Sequence, residues 1–387
     1  MLLEREDEEI LNGEQGESRQ KMLELLVALG KVFGAERLVP IKSAQVSGAS
    51  YKTIGEYGLQ WLRTLDSQAV VPAVLNPIGM PRLRWEEMGI KRDFAEKQQA
   101  VIAAYARLGI ALECTCTPYY LRETAYGDHL AWSESSAVSY ANSVIGARTN
   151  REGGPSALAA ALVGKTPCYG LHLKENRRPQ VIIRVQADTR DWTTAHFGAL
   201  GYHAGKLVGN RIPFFSGIVP DNDQLKALGA AMAATGAVAL YHVEGVTPEA
   251  VKVPYDLTGL EAIPVESADV LQLFRECEIE AVALGCPHCS PQELATIARL
   301  LEGKIVTKPL YVFAAQGVID ACTEHVEVIE SSGARVFADT CMVVSPVMEQ
   351  YGAIMVNSGK ALAYVPDMCG AVSRIGTTEA CVRVATE

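Results

Sequence analysis

From about residue 222 to residue 360 the chain alternates short apolar runs with longer mixed ones, and this alternation limits the fold more than any other feature. The spacing predicts helices over 224–235, 268–277, 291–301 and 317–331. It predicts strands over 238–243, 281–284, 310–314, 335–338 and 353–356. Short apolar strands separated by helices form a parallel sheet covered on both faces. The fold class is therefore α/β. Such a sheet places its ligands beyond the carboxyl ends of the strands.

The first half is less regular. Residues 6–34 look helical, with Met22, Leu25, Leu26, Leu29 and Val32 recurring at three and four, the amphipathic period. A strand over 38–41 leads to a glycine-containing loop over 45–50 and a helix over 51–64. A strand over 70–75 ends at Asn76-Pro77, and a helix over 94–108 leads to a strand over 110–114. Two regions are expected: 1–220, carrying the glycine loop, and 221–387, the doubly wound part.

Composition removes several functions. The net charge is −10, and the 35 Lys and Arg residues form no long run, so a nucleic-acid partner is not expected. The N-terminus, MLLEREDEEIL, is acidic and does not read as a signal peptide. No run of apolar residues is long enough for a membrane span. A cytoplasmic protein is expected, and its ten cysteines should then be reduced thiols.

Three expected strand ends carry cysteines. Leu284 is followed by Gly285, Cys286, Pro287, His288 and Cys289; Ala338 by Asp339, Thr340 and Cys341; the 110–114 strand by Thr115 and Cys116. A fourth, at Val356, leads to Asn357, Ser358, Gly359 and Lys360. A single cytosolic cysteine is more often a packing residue than a ligand. The Cys286/Cys289 pair also fits zinc or redox chemistry, though a four-ligand zinc site normally shows two such pairs. Gly164-Lys165-Thr166 ends like a phosphate loop, but Ala159 stands where that pattern needs glycine. No GxGxxG follows a strand, and no HExxH or GxSxG is present.

Ser47-Gly48-Ala49-Ser50 has the form of an anion site: Ser50 would cap the following helix, and Gly48 lets backbone approach a ligand. A plain capped turn explains the same residues equally well. Over 132–150 the polar residues Glu134, Ser135, Ser139 and Asn142 recur at helical spacing, while Val138, Tyr140 and Ile145 make the other faces apolar. Polar groups on a mostly buried helix need partners, and a ligand is one. Arg148 could pair with an anion or with an acidic side chain of the protein; Lys42 and Lys52 read as solvated charges.

Eight segments in order resemble the aconitase X family: LNGEQG, PIKSAQVSGASY, ECTCTPYY, AWSESSAVSYANSVIGARTNREGG, HFGALGYHAGK, LGCPHCSPQEL, ADTCMVV and MVNSGKALAYVPD. The resemblance implies an aconitase-like multi-domain architecture, with parallel sheets flanked by helices and without the swivelling fourth domain. That domain would be a separate small subunit. It also implies an iron–sulfur cluster, expected as [4Fe–4S], on Cys116, Cys286 and Cys341, with Cys114 as the alternative to Cys116 and Cys289 as an extra. Three thiolates leave one iron open as a Lewis acid toward a hydroxyl group. Gly48, Ala49, Ser50, Asn76, Pro77, Asn142 and Lys360 would line the substrate pocket, Lys360 as a phosphate partner, with Lys42, Ser135, Arg148 and His288 as a second tier. The base would be a serine on the small subunit. Within the family the IKSAQVSGASYK segment and Cys286 resemble the archaeal members, which dehydrate mevalonate 5-phosphate. The alternatives are a cis-3-hydroxy-L-proline dehydratase of the same family and a non-enzymatic binding protein on the same fold.

Overall fold

The computed structural model describes residues 1–387. Three sheets organise the chain, each parallel throughout. The first is ordered Ala111–Cys114, Ala73–Leu75, Ala44–Val46, Ala131–Trp132. The second is Ala262–Glu266, Val181–Gln186, Pro213–Ser216, His242–Val243. The third is Arg335–Ala338, Leu310–Ala314, Ala281–Cys289, Ala353–Val356, Val372–Ile375. Helices cover the sheets, giving the α/β layers that the alternation implies. A small antiparallel pair, Leu38–Pro40 with Lys165–Pro167, ties the start of the chain to the segment that follows the helix Gly154–Val163. The middle sheet takes strands from both sides of residue 220, so it spans the boundary expected there.

The third sheet keeps close to its sequence pattern. Leu310–Ala314, Arg335–Ala338 and Ala353–Val356 are strands over the expected residues. The strand begun at Ala281 runs on to Cys289, with its register shifting between Leu284 and Cys289. The helix Pro291–Leu301 shows why the pattern succeeds. Ser290 caps it, Glu293 completes a capping box, proline occupies the first turn, and Leu294, Ile297, Ala298 and Leu301 are buried. Elsewhere expected elements are divided or shortened. The long N-terminal helix is two, Arg5–Leu11 and Glu17–Val32; the 317–331 helix is two, Gln316–Ala321 and Thr323–Ser331; the 238–243 strand keeps only His242–Val243.

The first and third sheets share one interior. A single core cluster joins Leu23, Leu26, Leu62 and Leu75 from the first third of the chain to Phe313, Phe337, Ile354 and Val356 from the last. Each such side chain contributes about 1.5–3 kcal/mol on burial, so the two units are welded face to face. The middle sheet has its own core around Phe197, Phe215, Leu228 and Tyr241. It docks on the others by close backbone packing: a Cβ on Gly359 would collide with the Gly198 carbonyl oxygen, so only glycine lets these two helices meet. No helix is long and apolar enough to cross a membrane.

Candidate active site

The site grows from the carboxyl ends of the first and third sheets. Trp132 ends one strand, and two residues later Glu134 caps the helix Ser135–Tyr140 by accepting the Ala137 N–H at 2.8 Å. Its carboxylate also accepts from the Ser136 hydroxyl. From the third sheet, Val356 ends a strand and Ser358 caps the helix Gly359–Cys369, accepting the N–H groups of Lys360 and Ala361 at 3.1 and 3.2 Å. The Ser358 hydroxyl donates to the Cys286 carbonyl. This cap aims Lys360 inward, where its ammonium group meets Glu134 and donates to Ser136 Oγ at 3.2 Å.

The ion pair has both partners buried, with side-chain exposures of 7% each. Burial alone would push both groups toward neutrality; their mutual attraction reverses this, holding Glu134 below and Lys360 above the ordinary range. The pair is thus a fixed internal dipole. The Lys360 charge, expected to be free for a phosphate, is committed to Glu134.

Behind it lies a second network. His288 Nε2 donates to the Thr340 carbonyl at 2.9 Å, and burial pulls the ring down to about 4, so it is neutral. Nδ1 is then an acceptor, and the Thr115 hydroxyl donates to it at 3.1 Å. The Thr117 backbone N–H donates to Thr115 Oγ1 at 3.0 Å. Gln45 joins this layer to the ion pair: its Nε2 donates to the Thr115 carbonyl at 2.8 Å, and its Oε1 accepts the Glu134 N–H at 3.2 Å. The His288 carbonyl lies 3.5 Å from Lys226 Nζ, a buried ammonium group of the middle unit that pairs with Glu293 and Asp223. All three units therefore meet here.

The cysteines do not form the expected ligand set. No group of three or more His, Cys, Asp or Glu side chains is arranged to hold a metal ion, and this corrects the expectation of a [4Fe–4S] centre on Cys116, Cys286 and Cys341. Thiolate is the form that ligates, and here each of the three is held as a neutral thiol. Burial pushes Cys116 up to about 12 and raises Cys286 and Cys341. Cys116 Sγ is occupied as an acceptor by the His288 N–H at 3.1 Å. Cys114 and Cys289 are likewise buried, with raised values.

The remaining expected residues divide into three groups. Gly48, Ala49 and Ser50 follow Ser47, whose N–H donates to Ser133 Oγ at 3.2 Å, one residue before Glu134. Gly48 is at φ 81°, with open space where a side chain would project. Ser50 precedes the helix as expected, but its hydroxyl makes no capping bond; the Thr53 N–H goes to the Ser50 carbonyl at 3.0 Å, the Tyr51 N–H goes to Gln98 Oε1 at 2.9 Å, and the helix is interrupted at Gly55. Ser50 Oγ is buried without a hydrogen-bond partner, and so is Asn76 Oδ1. The Asn76-Pro77 turn is anchored by the Asn76 N–H to Val46 and by Ile78, which bonds the backbone of Asp339 and Cys341 at 2.8 and 2.9 Å. Ser135 lies at the helix start, half-buried. Asn142, by contrast, is saturated: its amide bonds Thr149, Ala239 and Arg177. Lys42 and Arg148 lie before the amino end of the strand Ala131–Trp132, away from this network. Thr115, Gln45 and Lys226 escape the sequence reading as site residues, and Glu134 enters it only as one polar residue of a mostly buried helix, without Lys360 as its partner. Glutamate is not a usual helix cap, and nothing in the spacing ties position 134 to 360.

The arrangement brings together buried opposed charges, a neutral imidazole of set tautomer and two unpartnered buried polar atoms, one of them at the end of the glycine loop. The chain matches the aconitase X first domain over residues 1–175, the second domain over 179–275 and the third over 279–387. It belongs to the aconitase X family, whose relatives are dehydratases. It is 54% identical to the phosphomevalonate dehydratase large subunit of Methanosarcina mazei, covering 100% of this chain and 97% of that one. It is 33% identical to the cis-3-hydroxy-L-proline dehydratase of Pseudomonas aeruginosa, covering 98% of this chain and 69% of the relative. The crystal structure of Thermococcus kodakaraensis aconitase X in its holo-form superposes with a TM-score of 0.92 at 46% identity, with both chains fully covered.

Proposed function

We propose that the chain is the large subunit of a hydro-lyase that converts (R)-mevalonate 5-phosphate to trans-anhydromevalonate 5-phosphate. The observation that carries this reading is end-to-end identity of 54% with a phosphomevalonate dehydratase large subunit, against 33% with a hydroxyproline dehydratase. The chain spans only 69% of the latter, which leaves the relative room for a further unit. This supports a separate small subunit as partner, closing over the glycine loop.

The residues suit a small hydroxylated acid. Ser50 Oγ and Asn76 Oδ1 lack protein partners, and leaving such groups unpaired in the interior costs about 1–3 kcal/mol each. A bound substrate recovers that cost: Ser50 donates to a carboxylate oxygen, and Asn76 Oδ1 accepts from a hydroxyl. Gly48 lets backbone close on the ligand. The Glu134–Lys360 pair keeps the surrounding helices fixed, so that little reorganisation accompanies the developing charge. The base that takes the proton from the carbon next to the hydroxyl is assigned to the small subunit.

The test is a direct comparison. The chain, combined with the small subunit of the M. mazei enzyme, is incubated with mevalonate 5-phosphate or with cis-3-hydroxy-L-proline, and water loss is followed by mass spectrometry. Turnover of the phosphate ester only by the two chains together is expected. Turnover of hydroxyproline alone would remove the substrate assignment, and full activity from the large chain by itself would remove the partner.

A further inference from the structure

We infer that the chain carries a second anion site, for a small phosphate monoester, at the opposite end of the first sheet from the reaction site. A cleft of about 530 Å³ opens there between the first and middle units, within the roughly 300–1,000 Å³ range of small-molecule sites. Its place is fixed by topology. Arg148 pairs with His129 just before the strand Ala131–Trp132, whereas Glu134 and its network follow that strand's carboxyl end.

Four cations line the cleft: Arg148, Lys174, Arg177 and Arg178. Only Arg177 is paired, with Glu249 at 2.7 Å, and that pair is buried in the wall. The remaining carboxylates, Glu175 and Asp256, are exposed at the rim. Arg148 is the decisive group. Its guanidinium makes one hydrogen bond, from Nη1 to the His172 carbonyl at 3.3 Å, while its Nε–H is buried without any partner. A guanidinium N–H shut away from water and left unbonded is costly, and an anionic oxygen is the acceptor it fits best. Beside it, His129 and His172 are bonded to each other through their Nδ1 atoms at 2.9 Å, and His172 Nε2 is also buried without a partner. Lys174 and Arg178 then supply the second and third positive charges that separate a dianionic phosphate from a carboxylate. Tyr126, Val253 and Tyr255 give the walls an apolar and aromatic surface, which suits an organic body on the phosphate.

This inference does not depend on the substrate proposed above, and its test uses no turnover. Phenyl phosphate is titrated calorimetrically into the full chain at low ionic strength, beside Arg148→Gln, Arg178→Gln and, as a control, Lys42→Gln. A saturable event is expected in the parent chain and in Lys42→Gln. It should weaken about tenfold or more in Arg148→Gln, the size of one charge-assisted hydrogen bond, and severalfold in Arg178→Gln. Arg178 is exposed and has no ion pair, so its variant keeps the test decisive if Arg148→Gln folds poorly. Absence of saturable binding to the parent chain would overturn the inference. So would an Arg178→Gln variant that binds as the parent does, or benzoate binding as tightly as phenyl phosphate.

Discussion

Lys360→Met isolates what the buried ion pair contributes. Methionine keeps most of the side-chain volume and removes the charge, leaving Glu134 enclosed with the Ser135 and Ser136 hydroxyls and the Ala137 N–H as its donors. Burial, the largest influence on this carboxyl, then acts unopposed and favours the protonated form. Keeping a carboxyl protonated at pH 7 costs about 1.4 kcal/mol for each unit above its ordinary value near 4.3, or roughly 3.7 kcal/mol. That agrees with the loss of about 3–5 kcal/mol seen when one partner of a buried pair is removed. The same arithmetic at pH 5.5 gives a penalty of roughly 1.6 kcal/mol. The sign distinguishes the two proteins. In the parent chain the folded-state value of Glu134 is depressed, so its contribution is present above the unfolded value and is lost as pH falls through the folded one. In Lys360→Met the folded value is raised, so the variant gains stability relative to the parent as pH falls. Urea unfolding at the two pH values, followed by fluorescence of the buried Trp132 beside the site, measures both. A penalty below about 1 kcal/mol at pH 7, or one equal at both pH values, would refute the reasoning.

Ser50→Ala and Asn76→Ala remove polar atoms with no protein partner, so we expect stability unchanged or slightly raised by urea unfolding, together with about a tenfold fall in kcat/KM of the assembled enzyme. A stability loss above about 2 kcal/mol would show that the two serve the fold instead. Gly359→Ala should destabilise by about 1–3 kcal/mol through overpacking, because its Cβ meets the Gly198 carbonyl. A thermal midpoint equal to the parent's would mean that this contact yields at no cost.

Four strands of the third sheet were legible because they are largely buried and therefore read as unbroken apolar runs, with capping signals such as Ser290 and Glu293 between them, whereas the partly exposed edge strand Val372–Ile375 was missed. The strand expected over 238–243 failed for a local reason. Ala237 takes φ 58° and the Val238 N–H returns to Met232, so those apolar residues are buried as irregular chain. The segment ending in Gly164-Lys165-Thr166, with the look of a phosphate loop, instead joins the helix Gly154–Val163, buried from Ser156 onward and resting on the first sheet, to the strand Lys165–Pro167. At the site, the strand ends carry His288, Ser358 and Lys360, and the structure brings all three into one buried hydrogen-bond network. The strand-end rule could not supply Glu134, because a pairing across 226 residues leaves no periodic trace. Nor could it separate a polar residue that awaits a ligand from one already satisfied: Asn76 and Asn142 look alike in sequence, and only the surrounding backbone distinguishes them.

The distance along the chain between Glu134 and Lys360 also has a meaning in time. At synthesis rates of roughly 5–20 residues per second, the 226 residues between them take on the order of 11–45 s to appear. Throughout that interval the first third of the chain has its carboxylate but not the ammonium group that neutralises it. It also lacks Phe313, Phe337 and Ile354, which complete its interior. The nascent first unit therefore waits with an open apolar face and an unmatched charge. Its final packing is an event of chain completion, and the interval before it is when the protein is most exposed to aggregation and to proteolysis.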